Sequence, residues 1–361
     1  MKKVAAALVG LAAGAVAWGL RDLPAQLGAK PSPAKVGRSA RYRDGKFRNA
    51  AVTTTMPPGS ASETLRELVF GKQQRKPVGR VPLVGKAPGD TSDGLHVTWY
   101  GHASALVEID GARILLDPVW SDRCSPSQLV GPKRLHAVPQ SIEEVGPVDA
   151  VVISHDHYDH LDLDTVRAIA RDQDAVFVVP LGIGDHLRKW RVPEHRIVEL
   201  DWDERHEVAG VTLVATAAQH FSGRGFKRDV TLWASWVIKG PRHRVYYSGD
   251  TGYFDGYARI GAEHGPFDAS LIQIGAYGVG WPDIHMTPEE GVRAHRDVRG
   301  GLLIPVHWGT FNLALHDWTE PVDRVWRETK AHEVPLVVPK PGERIDVANP
   351  PTVDGWWQTL V

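Results

Sequence analysis

Cysteine is almost missing from this chain: Cys124 is the only one in 361 residues. No disulfide can close within the chain, and no thiolate cluster is there to hold a metal ion. The redox state of its compartment is therefore not written in its cysteines. An excess of either charge is missing too, since 42 Lys and Arg stand against 43 Asp and Glu, for a formal net charge of -1. That balance gives no overall pull toward nucleic acid or anionic lipid. There is no tandem repeat and no separate nucleic-acid module. What remains is 42% hydrophobic and includes 13 Trp, enough to bury a sizeable core in one large domain or two modest ones.

Against that even background one stretch stands out. Ser154 to His160 reads SHDHYDH and directly follows the apolar run Asp149 to Ser154. A short apolar run of this kind predicts a buried strand, so the cluster leaves its C-terminal end on a loop. His155, His157, Asp159 and His160 are spaced so that one compact turn offers imidazole and carboxylate donors to two neighbouring metal ions. Nitrogen and oxygen donors without sulfur suit zinc or another borderline divalent metal. A single turn cannot fill two coordination spheres, and further donors close three later apolar runs: His220, Asp250 and His307. Glycines near these positions (Gly223, Gly249, Gly252, Gly309) let backbones approach closely.

In order, these residues form HxHxDH, then His, then Asp, then His, a pattern that resembles the metallo-β-lactamase superfamily. Within it, the segments CSPSQ, GPKR, YYSGDTGYFDG, LIQIGAY and HWGTF resemble the N-acyl-phosphatidylethanolamine-hydrolysing phospholipase D family and its bacterial zinc-dependent hydrolase relatives. The likeness runs from about Leu95 to Val347. It implies a four-layer αββα sandwich. It implies one metal on His155, His157 and His220, a second on Asp159, His160 and His307, and Asp250 bridging both. Two zinc ions are expected, with iron and manganese left open. Asp159 and Asp250 are the candidate proton relays, and the residues do not choose between them. The expected activity is cleavage of N-acyl-phosphatidylethanolamine to phosphatidic acid and an N-acylethanolamine by metal-held hydroxide. The rival readings are a lactone or carboxylic ester hydrolase of the same fold and, in another class, a non-catalytic envelope protein stabilised by its metals.

Other residues have weaker grounds. His102, in YGHAS, resembles a recurrent Gly-His element near the site, with a histidine packed there or supporting a ligand from behind as the alternative. Asp117 is placed to hydrogen-bond a ligand histidine or simply to form an Asp-Pro turn. Tyr158, between two ligands, is expected to line the pocket. His285 and His316 are expected near its mouth, with a rim or surface histidine as the alternative, and Lys133 and Arg134 are candidates to hold a phosphate, with ordinary surface charge as the alternative. Cys124 reads as a small buried hydrophobe.

The chain divides by composition. Residues 1–21 have a charged start (Lys2, Lys3) and a 17-residue apolar run, Val4 to Leu20, and predict a signal peptide or membrane anchor, with Ala15-Val16-Ala17 a cleavage candidate. The expected location is the cell envelope, facing a phospholipid substrate at a membrane surface, with no nucleic-acid partner and a homodimer left open. Residues 22–94 are rich in Pro, Gly and basic residues and are expected to wrap the catalytic domain. Their one predicted helix covers Ser62 to Lys72, with Ser62 as N-cap and Leu65, Leu68 and Val69 on one face. Residues 95–348 form the expected catalytic domain and 349–361 a C-terminal tail.

Overall fold

The computed structural model describes residues 22–85 and 93–361. The expected signal or anchor at 1–21 lies outside the described residues. Among the described residues no helix is long and apolar enough to cross a membrane.

In chain order, the extension holds α1 (Leu23–Gln26), α2 (Pro33–Val36), the hairpin β1 (Tyr42–Arg43) and β2 (Lys46–Phe47), and α3 (Ser60–Phe70). The first half of the main body follows: β3 (Leu95–Gly101), β4 (Ser104–Ile109), β5 (Ala112–Leu116), α4 (Ile142–Val145), β6 (Ala150–Val152), α5 (Leu163–Asp172), β7 (Val176–Pro180), α6 (Gly184–Lys189) and β8 (Ile197–Leu200). The second half has β9 (Arg205–Val208), β10 (Val211–Thr216), β11 (Ser235–Lys239), β12 (Arg244–Tyr247), α7 (Gly256–His264), β13 (Phe267–Gln273), α8 (Pro288–Asp297), β14 (Gly300–Val306) and α9 (Glu320–Ala331). The short β15 (Arg344–Asp346) closes the series.

Two large sheets result, one of seven strands ordered β15-β3-β4-β5-β6-β7-β8 and one of six ordered β14-β13-β12-β11-β10-β9. Strand alternation explains how they stack. On β4 and β5, Ala105, Val107, Ile114 and Leu116 join Leu213 and Ala215 of β10 and Val237 of β11 in one buried cluster between the sheets. The intervening Leu106 and Leu115, with Val151, Phe177 and Val179, face the other way and pack with Leu163, Val166 and Ile169 of α5 and Leu187 of α6. On the second sheet α8 packs against β13 and β14. The order is helix, sheet, sheet, helix: the expected αββα sandwich. Each large apolar side chain taken out of water contributes about 1.5–3 kcal/mol, and the inter-sheet cluster is the larger of the two.

Three readings of the sequence need adjusting. The extension helix starts two residues earlier than expected, after Gly59, and Ser62 lies inside it with its hydroxyl donating to the Gly59 carbonyl. The extension also enters the core, since Val36, Phe47 and Val81 belong to the inter-sheet cluster. The C-terminal residues behave likewise: Trp356 and Trp357 are buried there, with Trp357 edge-on to Trp308.

Strand direction decides where the loops meet. β3 and β5 both run antiparallel to β4, and β6 runs parallel to β5. β10 and β12 both run antiparallel to β11, and β13 and β14 run parallel to β12. The C-terminal ends of β3, β5 and β6 therefore share one edge of their sheet, and those of β10, β12, β13 and β14 share one edge of theirs. The predicted donors all follow these ends.

Candidate metal centre

His102 follows β3, Asp117 follows β5, and His155 to His160 follow β6. His220, Asp250 and His307 follow β10, β12 and β14. Three of these residues have left-handed backbones: His102 at φ 52°, Asp117 at 36° and His307 at 64°. A non-glycine residue held this way costs about 1–3 kcal/mol, which the packing around it must offset. Here it turns side chains off their strands and toward one point. Gly249, at φ 55°, leaves room as well: a Cβ there would stand 2.7 Å from that of Ser154.

The donor atoms fall into linked groups. His155 Nε2 lies 2.7 Å from His157 Nδ1, and His220 Nε2 lies 3.4 Å from the same His157 atom. Asp159 Oδ2 lies 3.5 Å from His160 Nε2 and 3.3 Å from His307 Nε2. Between the two groups sits Asp250 Oδ2, 3.1 Å from His160 Nε2 and 3.0 Å from His307 Nε2. It is also 3.9 Å from both His155 Nε2 and His220 Nε2. His160 Nε2, His307 Nε2 and Asp250 Oδ1 are buried with no hydrogen-bond partner among the described residues. Buried polar atoms normally find a partner, and a cation at this point would satisfy all three.

Charge points the same way. Burial works against ionised Asp250 and Asp159, but the facing imidazoles of His160 and its neighbours hold both carboxyls well below the usual range. Burial likewise opposes a charged His160, yet Asp250, Asp159 and Asp117 push it well above an ordinary histidine. His307 is pushed up to about 9 against the same burial cost, mainly by Asp250. The carboxylates thus demand positive charge, which protons supply when nothing else does. His155 and His220 are driven well below the usual value by burial first, so they present neutral nitrogens. This donor set fits two borderline divalent ions, one on His155, His157 and His220 and one on Asp159, His160 and His307, with Asp250 shared.

Outer partners fix the ring orientations. Asp117 accepts from His160 Nδ1 at 2.6 Å, Ser154 N at 2.7 Å and the Tyr247 hydroxyl at 2.5 Å. The His220 Nδ1–H points at the Ile284 carbonyl, 2.9 Å away. His102 Nε2 is 2.9 Å from Asp159 Oδ2, and burial lowers its pKa to about 3. Asp117 thus hydrogen-bonds a ligand histidine, and His102 is a packed histidine that supports Asp159 from behind. His285 lies 3.8 Å from Asp250 Oδ2 and is lowered by burial to about 4.

Two other expectations fail. Tyr158 does not line the cavity; its hydroxyl points away and donates to the Arg224 carbonyl at 2.7 Å. Arg134 is not free for a phosphate: it is buried and donates to the carbonyls of Val119 and Ser121. Lys133 is at the surface, 3.8 Å from Asp122. Cys124 is buried beside Val119 and Phe311, as a small hydrophobe would be. His316 stacks on Tyr277 with ring centroids 4.6 Å apart, in the wall of a neighbouring cavity.

Several residues that matter were not singled out in the sequence. A cavity of about 350 Å³ opens over Asp159, Asp250 and His307, with Met56, Phe221, Arg228, Trp281 and Leu313 in its wall. A second, of about 380 Å³, shares Trp281 and His285 with it and is lined by Thr64 and Glu67 of α3. Behind the ligand loop, buried Arg224 donates to the carbonyls of Leu161 at 2.6 Å, Asp156 at 3.1 Å and Gln26 at 2.7 Å. Its guanidinium carbon also lies 4.1 Å over the Tyr158 ring. Asp156 accepts from Gly223 N at 2.7 Å and Thr231 Oγ1 at 2.9 Å. An arginine in a Gly-rich loop carries no sequence mark of burial, and Asp156 is indistinguishable from the donors around it.

Comparison with known proteins gives the family. Residues 112–308 match the β-lactamase superfamily domain. Rv0906 of Mycobacterium tuberculosis is 50% identical, over 99% of this chain and 98% of its own. The N-acyl-phosphatidylethanolamine-hydrolyzing phospholipase D 1 of Caenorhabditis elegans is 36% identical, over 67% of this chain and 72% of its own. Among solved structures, the metallo hydrolase Igni18 of Ignicoccus hospitalis superposes with a TM-score of 0.55 at 22% identity, over 70% of this chain and 97% of its own. That likeness speaks to the fold alone. The chain belongs to the β-lactamase superfamily and is a metal-dependent hydrolase.

Proposed function

We propose that the protein hydrolyses a phosphodiester with two zinc ions, cleaving N-acyl-phosphatidylethanolamine to phosphatidic acid and an N-acylethanolamine at a membrane surface of the cell envelope. The observation that carries the two-metal reading is the Asp250 carboxylate, whose one oxygen lies 3.0–3.9 Å from ring nitrogens of His155, His160, His220, His285 and His307. The similarity to the Caenorhabditis elegans phospholipase supports the choice of substrate. When bound, the metals supply hydroxide near neutral pH and polarise a phosphoryl oxygen.

The chain's own groups do the rest. Arg228, at the cavity edge with its guanidinium carbon 4.0 Å over Phe221, meets the phosphate's negative charge. His285, beside Asp250 in the cavity wall, offers a hydrogen bond to a phosphoryl oxygen. Asp159, braced by His102, or Asp250 would relay the attacking water's proton to the oxygen of the departing N-acylethanolamine. Met56, Trp281 and Leu313 exclude bulk water and fit the apolar part of a lipid.

The test is hydrolysis by the zinc-loaded full chain in detergent, offered bis-p-nitrophenyl phosphate, N-acyl-phosphatidylethanolamine and a lactone panel. Cleavage of both phosphodiesters, lost on chelation, is the expected result. Activity confined to lactones would assign the site to ester hydrolysis.

A further inference from the structure

Helix α3 is built inside out. An ordinary surface helix turns its apolar stripe to the core and its polar stripe to water. Here Ser60, Thr64 and Glu67, at i, i+4 and i+7, face the protein, with Ser60 buried and the other two lining the second cavity. Leu65, Leu68, Val69 and Phe70 are 60%, 59%, 60% and 76% exposed.

The helix does not stand alone. Met56, tied by its N–H to the Gly280 carbonyl at 2.6 Å, lines the metal cavity and is itself 54% exposed. Val279 stands exposed on the far wall of the second cavity. Phe226, at the tip of the loop after His220, is 99% exposed and is followed by exposed Lys227 and Arg228, the latter at the edge of the metal cavity. On α3 and just beyond it, Arg66 and Lys72 are exposed beside a lone exposed acid, Glu63. Protruding apolar side chains and cations therefore stand around two adjoining cavities that share Trp281 and His285, one of which opens over the donor cluster.

We infer that this rim is the docking face for an anionic phospholipid surface, with α3 lying in the interface and Phe226 inserted beside it. An amphipathic helix with cations beside its apolar face suits the headgroup boundary, where its apolar side chains enter the acyl region and Lys and Arg meet phosphates. Aromatic and apolar tips on separate segments fit a deformable lipid layer better than a rigid partner. A second copy is a poor fit, because a two-fold interface would set Arg66, Lys72, Lys227 and Arg228 against themselves. This inference rests on the reading of the substrate as a bilayer lipid, and it explains how that lipid reaches a recessed site. It also gives the extension, outside the matched residues 112–308, a task of its own.

The experiment reads docking separately from hydrolysis. Cys124 is the only cysteine and is buried, so Val69→Cys or Phe226→Cys in the full, metal-loaded chain gives one reachable thiol for an environment-sensitive fluorophore. Vesicles of phosphatidylcholine, with and without phosphatidylglycerol, contain no N-acylated substrate. Both labelled positions should brighten and shift blue on the anionic vesicles, with the effect weakened by salt. Leu65→Ser with Leu68→Ser should cut the affinity read at position 226 about tenfold. Hydrolysis of soluble bis-p-nitrophenyl phosphate should stay unchanged. No spectral change at either position on any vesicle would overturn the docking face, whatever the enzyme hydrolyses. So would a double variant that binds vesicles like the parent but changes oligomeric mass, which would assign the patch to self-association. Should the double variant misfold by circular dichroism, Phe226→Ser at the loop tip carries the same test. Docking without phospholipid cleavage would leave this inference standing and remove the substrate reading.

Discussion

Replacing Arg224 by alanine should weaken the fold and the metal centre together. Its guanidinium makes four hydrogen bonds to Gln26, Asp156 and Leu161. Each bond from a charged donor is worth about 1.5–3 kcal/mol, but burying the cation is itself costly, and burial lowers its pKa. Truncation leaves these neutral acceptors unpaired at about 1–3 kcal/mol each, and relief of the buried cation offsets part of that, for a net loss of about 4 kcal/mol. With an unfolding entropy of about 2.1 cal/mol/K per residue, a loss of about 4 kcal/mol lowers the Tm of a 361-residue chain by about 5 °C. The second effect is local. Asp156 and Leu161 bracket His157, Asp159 and His160, so freeing their carbonyls loosens three donors at once. Metal affinity should fall about 10- to 100-fold, as for other groups that orient ligands. Arg224→Lys keeps the charge but not the planar fork, and should recover less than half of either loss. Differential scanning calorimetry and competition with a zinc chelator read the two effects. An alanine variant within about 1 °C of the parent Tm, with unaltered chelator resistance, would refute the argument.

Asp117→Asn should leave the chain folded but cost about 10- to 100-fold in metal affinity, because the amide cannot accept from His160, Ser154 and Tyr247 alike; metal content after dialysis against chelator checks it. Stripping the metals should lower the melting temperature, and adding zinc back should restore it, by an amount that grows with the logarithm of free metal. Asp250→Asn or His157→Ala should abolish turnover while circular dichroism stays near that of the parent; near-normal activity in both would sink the two-metal mechanism. In acid, His295 should contribute a loss of its own. Burial lowers it to about 4, so below about pH 6.5 the unfolded chain takes up a proton that the folded chain refuses. Stability should fall between about pH 6.5 and pH 4 by roughly 3 kcal/mol from this group, and His295→Gln should flatten that part of the denaturation-against-pH curve.

Much of this was legible in the chain before any coordinates. The apolar runs ahead of the donors announced buried strands, and the donors at their ends announced the edge where the sheets open. What stayed hidden depended on direction more than on residue type. Tyr158 sits between two donors yet turns its hydroxyl away, because the Arg224 and Gln26 carbonyls behind the loop are acceptors that the sequence places far away. Arg134 was read as a surface cation, but packing against Phe311 and two free carbonyls drew it inward. Leu65, Leu68 and Val69 did share a helix face, as their spacing required. Which way the face pointed was not in the spacing, since periodicity defines a stripe and leaves its partner unnamed. Trp356 and Trp357 were assigned to a tail because nothing nearby marked them as part of a distant core.

The donors are spread along the chain from His155 to His307, and two separately formed sheet edges must meet before they converge. No fragment ending before His307 contains the full donor set, and an unfolded chain has no preformed site. Complete metal capture is therefore a late event: the turn from Ser154 to His160 carries four of the seven donors, and both coordination spheres close only once the two halves have docked. The ion it acquires is selected from whatever is free where folding finishes, because imidazole and carboxylate donors alone discriminate poorly among divalent metals. Metal content should therefore change with the ions free where the two sheets come together, which expression in zinc-rich and iron-rich media followed by metal analysis checks.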